Sequence, residues 1–547
     1  MASINQSIVL IALPAIFRGI GLNPLVPANT GYMLWIMMGF TVMMAVLVVS
    51  LGRIGDMFGR VRMYNLGFAV FTVFCILLSI TWMHGTAAAI WIVTMRLGQG
   101  IGGALLFANS SAIITDAFPP EQRGIALGIN NVSLISGAFI GLVLGGLLAP
   151  VEWHLVFLIS VPFGLFGTVW AYLKLRDNGV RSDSRIDIWG NITFAVGLIA
   201  ILVAITYGLL PYGGHTMGWT SPLVLGGMFG GVVLLIIFAI IETKAQHPMF
   251  RLALFRIRAF TSGNISNFMA ALSRGGLMFI LIIWLQGVWL PLHGYSYAQT
   301  PLWAGIYMVP LTIGFLLSGP FAGHLADRFG ARPFATGGLL LCAATFLLLK
   351  VLPVDFNYWA FAAIILLNGA GMGLFAAPNQ AGIMNSLPTA ERGAGSGMTA
   401  TFSASAQVLS IGIFFTLIIL GLSVTLPTSL MHGLTSHGVS PQLATKVSKL
   451  PPVGSLFAAF LGYNPLATLL GSHGLSHVSN AQAHFIIGRQ FFPKLISKPF
   501  SRGLSEAFSF AALACLLGAG ASILRGGKYV RIDDPQGSAK ELIKDGD

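Results

Sequence analysis

A guanidinium inside an apolar run is the least expected group in this chain, and Arg96 is one, lying about eight residues into the stretch 88–116. In hydrocarbon such a charge needs a polar partner or a watery cavity, unless its long stem carries it to the surface. Arg274 and Gln286 share the problem in the stretch 260–290, and Asn379 and Gln380 share it in 358–386. Each serves either a solute in a central cavity or a hydrogen bond between helices, and residue type leaves both open. Asn130, Asn131, Asn264 and Asn267 read as interhelical hydrogen-bonding groups.

Reaction chemistry finds no such foothold. No nucleophile, base and metal-ligand cluster occurs within the apolar stretches, which argues against an enzyme and against a cofactor. Cys75, Cys342 and Cys515 all lie inside apolar segments, a poor arrangement for a disulfide framework or a metal. His473, His477 and His484 have no carboxylate neighbours and read as a polar connection.

The elements that must position these groups are spanning helices. Hydrophobic residues make up 55% of the 547 and charged residues only 9%, against about a quarter charged in soluble domains. Fourteen apolar blocks follow one another at 3–17, 32–51, 63–83, 88–116, 124–148, 154–174, 186–210, 221–242, 260–290, 301–324, 333–352, 358–386, 394–424 and 504–525. Most are long enough to cross about 30 Å of hydrocarbon at about 1.5 Å per residue. The first is preceded by no basic region, which argues against a cleaved signal peptide, and its shortness allows for residues upstream.

The net charge of +13 comes from basic residues scattered between blocks, a pattern of topology and not of nucleic-acid binding. Twenty of the 30 Lys and Arg fall in loops after even-numbered blocks or in the C-terminal tail. Basic loops stay cytoplasmic, so both termini are expected there.

The chain also repeats itself. Gly52-Arg53-Ile54-Gly55-Asp56-Met57-Phe58-Gly59-Arg60 recurs as Gly323-His324-Leu325-Ala326-Asp327-Arg328-Phe329-Gly330-Ala331, with Asp56 and Asp327 271 positions apart. Glu121-Gln122-Arg123-Gly124 recurs as Glu391-Arg392-Gly393, with the arginines 269 apart. The predicted plan is a six-helix half at 1–180, two inserted helices at 181–258, and a second six-helix half at 259–530 that carries a long extracytoplasmic segment, 427–502. A cytoplasmic tail, 531–547, follows.

On these motifs the chain resembles the fourteen-helix drug/proton antiporter branch of the major facilitator superfamily, over essentially its whole length. The Gly52–Arg62 turn is similar to the superfamily signature between helices two and three, and its second copy strengthens the likeness. The resemblance implies that Asp56 faces the positive start of the helix at Gly393–Gly397 and clamps the cytoplasmic side, with Asp327 doing the same at Gly124. Arg96-Leu97-Gly98-Gln99-Gly100 resembles the fourth-helix motif, in which the arginine relays protons or binds substrate. Gly137, Gly141, Gly145 and Gly146 resemble the fifth-helix antiporter motif, although Leu142 stands where proline is usual.

One departure bears on mechanism: aligned on Ala12-Leu13-Pro14, the buried aspartate of the family pattern falls at Asn5, and an amide does not titrate. The resemblance implies an all-α membrane transporter that exports amphipathic small molecules, with protons as the expected counter-substrate. Asn5 points to an alternative, an exporter of an endogenous lipid-like or secreted metabolite with weak or no proton coupling. The expected partners are the bilayer, the solute and protons; the oligomeric state is open.

Overall fold

The computed structural model describes residues 1–23, 26–118, 120–175, 187–245, 248, 250–388, 392–462, 464–475 and 478–526. The first half comprises α1 (Ala2–Gly19), α2 (Pro27–Phe58), α3 (Arg60–Ser79), α4 (Gly85–Ala117), α5 (Pro120–Leu148), the one-turn α6 (Leu155–Leu158) and α7 (Ser160–Lys174). Two inserted helices follow, α8 (Ile188–Gly208) and α9 (Pro222–Lys244). The second half holds α10 (Arg258–Ile283), α11 (Leu290–Leu292), α12 (Thr300–Tyr307), α13 (Val309–Phe329), α14 (Ala331–Val351), α15 (Tyr358–Asn385) and α16 (Arg392–Thr435). It continues through α17 (Pro441–Ser448), α18 (Pro452–Phe460), α19 (Pro465–Leu475) and α20 (Asn480–Ile486) to α21 (Phe491–Ile523).

Thirteen spans among the described residues are long and apolar enough to cross a membrane, and α5 supplies the fourteenth with its apolar stretch Val132–Leu148. Large apolar side chains on α9, among them Leu223, Leu225, Phe229 and Ile236, are exposed, as a helix facing lipid requires. Within each half the helices pack closely: α4 on α2 and α3, α1 on α5, α15 on α13 and α14, and α21 on α10, α14 and α16. The halves meet where α5 touches α12 and α13 and where α2 touches α16, and α8 lies along both α2 and α16.

The repeated motif is less a loop than a corner. Helix α2 continues to Phe58 and α3 starts at Arg60, so the connection is Gly59 alone, at φ 106°. The second copy does the same with Gly330 at φ 87° between α13 and α14. Both angles lie where a side chain is strongly disfavoured, which explains glycine at both places. Asp56 therefore rides on the last turn of a helix and not on a flexible loop.

The long segment 427–502 also differs from expectation. Helix α16 runs on to Thr435, giving 44 residues, about 66 Å at 1.5 Å per residue and well beyond the hydrocarbon thickness. Its partner α21 begins at Phe491, and the two cross where a Cβ on Gly421 would lie 2.4 Å from the Gly503 Cα. Between them α17 to α20 fold back onto the bundle. His473, His477 and the tail 531–547 lie outside the described residues and side chains.

Small residues set the helix spacing. In the second half a Cβ on Gly369 would stand 1.9 Å from the Leu311 carbonyl oxygen, so α13 and α15 touch backbone to backbone. Gly369→Ala should therefore force these helices apart and destabilise the protein by about 1–3 kcal/mol. Gly337→Ala, whose Cβ would meet open space, should not. Thermal unfolding of the two purified variants checks this, and equal melting temperatures would contradict it.

Candidate functional site

Helix α4 carries four glycines that bring its neighbours within reach of its backbone. Cβ atoms on Gly100 and Gly102 would stand 2.8 Å from the Phe40 carbonyl oxygen and 2.6 Å from the Phe71 nitrogen. With α2 and α3 this close, Arg96 has no route to the surface, and it is fully buried. Its Nη1 donates to Asn5 Oδ1 at 2.6 Å and to Gln99 Oε1 at 2.6 Å, while Nε donates to the Ile36 carbonyl at 3.1 Å. The guanidinium also lies 5.1 Å from the Phe40 ring centroid.

The acceptors are themselves held. Gln99 Nε2 donates to Cys75 Sγ at 3.0 Å, and Asn5 Nδ2 donates to Ser160 Oγ at 3.5 Å. One network thus joins α1, α2, α3, α4 and α7, and these three hydrogen-bond acceptors of Arg96 are all neutral. Asn5 and Arg96 were each prominent in the sequence, but their contact was not. Cys75 and Ser160 carried no signal, because a thiol and a hydroxyl in apolar runs look like filler.

Gly141 and Gly145 serve the seating of α1. A Cβ on Gly141 would come 2.4 Å from the Ile4 carbonyl oxygen, and one on Gly145 2.9 Å from that of Ile8. The next residue, Gly146, faces the other half, where a Cβ would lie 2.5 Å from the Leu302 Cα. At this end, remote from Asp56, the halves are closed against each other.

At the opposite end Arg60 holds two carboxylates. Its Nε donates to Asp56 Oδ1 at 2.7 Å, and its Nη1 reaches both Asp116 oxygens at 2.8 and 2.7 Å. The hydrogen bond reaching Asp56 thus comes from within its own half. Gly52 lies against Ala108 of α4, and Gly323 against Ala377 of α15. Arg123, Asp327 and Arg392 fall in helices α5, α13 and α16, and their side chains lie outside those described.

The second half arranges its polar groups differently. On α10, Ser273 accepts from Cys515 Sγ at 3.3 Å, the Gly276 nitrogen donates to Ser410 Oγ at 2.8 Å, and Arg274 between them is exposed at mid-span. Beyond Ile283 the helix opens into a π turn, Trp284–Trp289, and Pro291 behind it donates no backbone N–H. Gln286 sits in that turn, buried, with neither its oxygen nor its nitrogen hydrogen-bonded. Asn379 is buried too, but as a tie: its Nδ2 donates to the Gly263 carbonyl at 3.2 Å and its Oδ1 accepts from Arg525. Burial pushes Arg525 down to about 10, so it stays charged at neutral pH. Gln380 beside Asn379 is half-buried, Asn264 bonds the Phe260 carbonyl of its own helix, and Asn130 accepts from Ser110 across α4 and α5. Among the described residues no group of three or more His, Cys, Asp and Glu could hold a metal.

Two helical halves, each with a matching glycine corner, and charges and amides held between spans define a membrane transporter of the repeat type. The chain matches the profile of the Major Facilitator Superfamily over residues 1–411, and it belongs to that superfamily. It is 26% identical to the riboflavin transporter RibZ of Clostridioides difficile over 76% of this chain and 84% of that one. It is 29% identical to the tetracenomycin C resistance and export protein of Streptomyces glaucescens over 68% of this chain and 65% of that one. It is 25% identical to the multidrug transporter protein MdtP of Bacillus subtilis over 84% and 78%. The crystal structure of an inward-facing, unoccupied bacterial homologue of the human lysosomal transporter Spinster superposes with a TM-score of 0.54 at 15% identity, covering 97% of this chain and 96% of that one.

Asn5→Ala would leave the buried Arg96 one acceptor short, which costs about 1–3 kcal/mol. Asn5→Asp keeps an acceptor there and should melt closer to wild type. Thermal unfolding in detergent compares them, and an alanine variant as stable as wild type would show that the Asn5–Arg96 contact is dispensable.

Proposed function

We propose that this transporter exports amphipathic small molecules from the cytoplasm across the cell membrane, its two halves alternating about a central pathway. The observation that carries this reading is Gln286, an amide buried in a π turn of a spanning helix with donor and acceptor both unspent. A buried amide without partners is costly, and a solute that supplies them is held in return. π turns are also frequent at functional sites. The resistance and export role named for one relative supports the direction, and the multidrug transport named for another supports the class of cargo. The weight of Lys and Arg in the loops after even-numbered spans supports cytoplasmic termini. In that orientation Asp56 and Asp327 lie at the cytoplasmic end, where each would help set the balance between inward and outward states.

A second feature bears on energy coupling. Asn5 occupies the position where the family pattern has an aspartate, and it already serves as an acceptor for Arg96. A neutral amide does not exchange a proton with the two sides of the membrane, so proton-driven antiport through this position should be weak.

Arg274 is exposed at mid-span, and its charge should make dications poor cargo. In proteoliposomes, neutral, zwitterionic or anionic fluorescent amphiphiles should be transported and should outcompete matched dicationic dyes, and Arg274→Gln should narrow that preference. Absence of flux for every amphiphile tested would overturn the exporter reading, and a preference for dications would overturn the charge argument.

A further inference from the structure

Helix α18 is nine residues long, Pro-Val-Gly-Ser-Leu-Phe-Ala-Ala-Phe, and every one of them is buried. At about 1.5 Å per residue it is far too short to span a bilayer. It comes from the segment between α16 and α21 at the end remote from Asp56, where a connection facing water would be polar. Its uncharged sequence fits a seat inside protein.

That seat lies against the π turn that holds Gln286. A Cβ on Gly287, next to Gln286 in the π turn, would meet the Ala459 carbonyl carbon and the Phe460 nitrogen, both at 3.3 Å. The Phe460 ring lies 5.8 Å from that of Phe279 on α10, and Phe457 lies 5.5 Å from Phe415 on α16. Phe279 and Phe415 are themselves 4.6 Å apart. Four rings thus form one cluster, two from spanning helices and two from α18. The helix also packs on α2, which belongs to the other half.

The tethers are all on one side. Helix α17 packs on α16, and a Cβ on Gly462 would meet the Tyr297 ring at 2.7 Å. Tyr297 Oη donates to the Arg489 carbonyl at 3.0 Å, and Asn464 Nδ2 donates to those of Ile486 and Gly488 at 3.1 and 3.0 Å. Among the described residues the contact with α2 is the one of substance that crosses between halves. When the halves part at this end, that contact must break while the tethers persist.

We propose that α18 is the removable outer wall of the solute site: it travels with the second half, seals Gln286 from the remote face while that face is closed, and presents Phe457 and Phe460 to the apolar body of the cargo. This rests on the alternating-access reading above, and it adds a specificity-determining element to it. The solute it fits has an aromatic or aliphatic body and a neutral polar group for the Gln286 amide.

The test reads accessibility without any solute, so it stands apart from the question of cargo. A cysteine replacing Gln286 is exposed to a membrane-impermeant maleimide from each face of sealed vesicles in turn. In the Phe457→Ala/Phe460→Ala background, labelling from the remote face should be at least about tenfold faster, because protection follows burial, while labelling from the other face stays unchanged. Equal labelling in both backgrounds overturns the proposal. Should the double variant fold poorly, a Gly287→Cys/Ala459→Cys pair gives a second reading. Oxidising it pins α18 to the π turn of its own half, and accessibility cycling should persist. Cycling that stops on oxidation and returns on reduction would show that α18 must leave its own half, and the proposal fails.

Discussion

Everything in the first half is organised by the burial of one guanidinium. A charge with no surface exposure is tolerable in hydrocarbon only if its donors are satisfied, and Arg96 meets that condition with Asn5, Gln99 and a backbone carbonyl. Satisfying it requires α1, α2 and α4 to approach closely. The glycines of α4 permit this on one side, and Gly141 and Gly145 seat α1 against α5 on another. Removing a neutral acceptor would expose a cost the fold otherwise hides. Because the acceptors are amides and a carbonyl, the network holds the charge without offering a carboxylate for a proton.

The second half is no mirror of this arrangement. Its buried arginine is at the end of α21, bound to Asn379, and its mid-span arginine on α10 is exposed. Among its unspent polar groups is the amide of Gln286, with both oxygen and nitrogen free, placed by a π turn beside an apolar helix that both halves touch. In the first half the buried charge finds neutral acceptors, and in the second the Gln286 amide keeps open hydrogen-bonding capacity beside the interface.

Much of this was legible in the residues. Apolar blocks marked all fourteen spans because hydrocarbon thickness sets their length, and the matching Asp56 and Asp327 motifs marked the repeat because each corner needs glycine at positive φ. The ends of α2, α13, α16 and α21 were not, since hydropathy falls at the headgroups while backbone hydrogen bonds continue. The segment 427–502 is too broken in its apolar stretches to span and was expected outside the membrane; that α18 is buried depends on tertiary contacts with Phe279 and Phe415, far away in the chain. Asn379 was left between cavity and tie for the same reason, and the structure makes it a tie through Gly263 and Arg525.

The central claim is that the position occupied by Asn5 holds Arg96 without carrying a proton. Solute flux in proteoliposomes across a series of imposed pH gradients, for wild type and Asn5→Asp at matched protein content, tests it most directly. The account predicts a shallow response in wild type and a steeper one in the variant, whose new carboxyl can titrate beside Arg96. Wild-type flux that follows the gradient as steeply as the variant's would mean that another group carries the proton, and would contradict it.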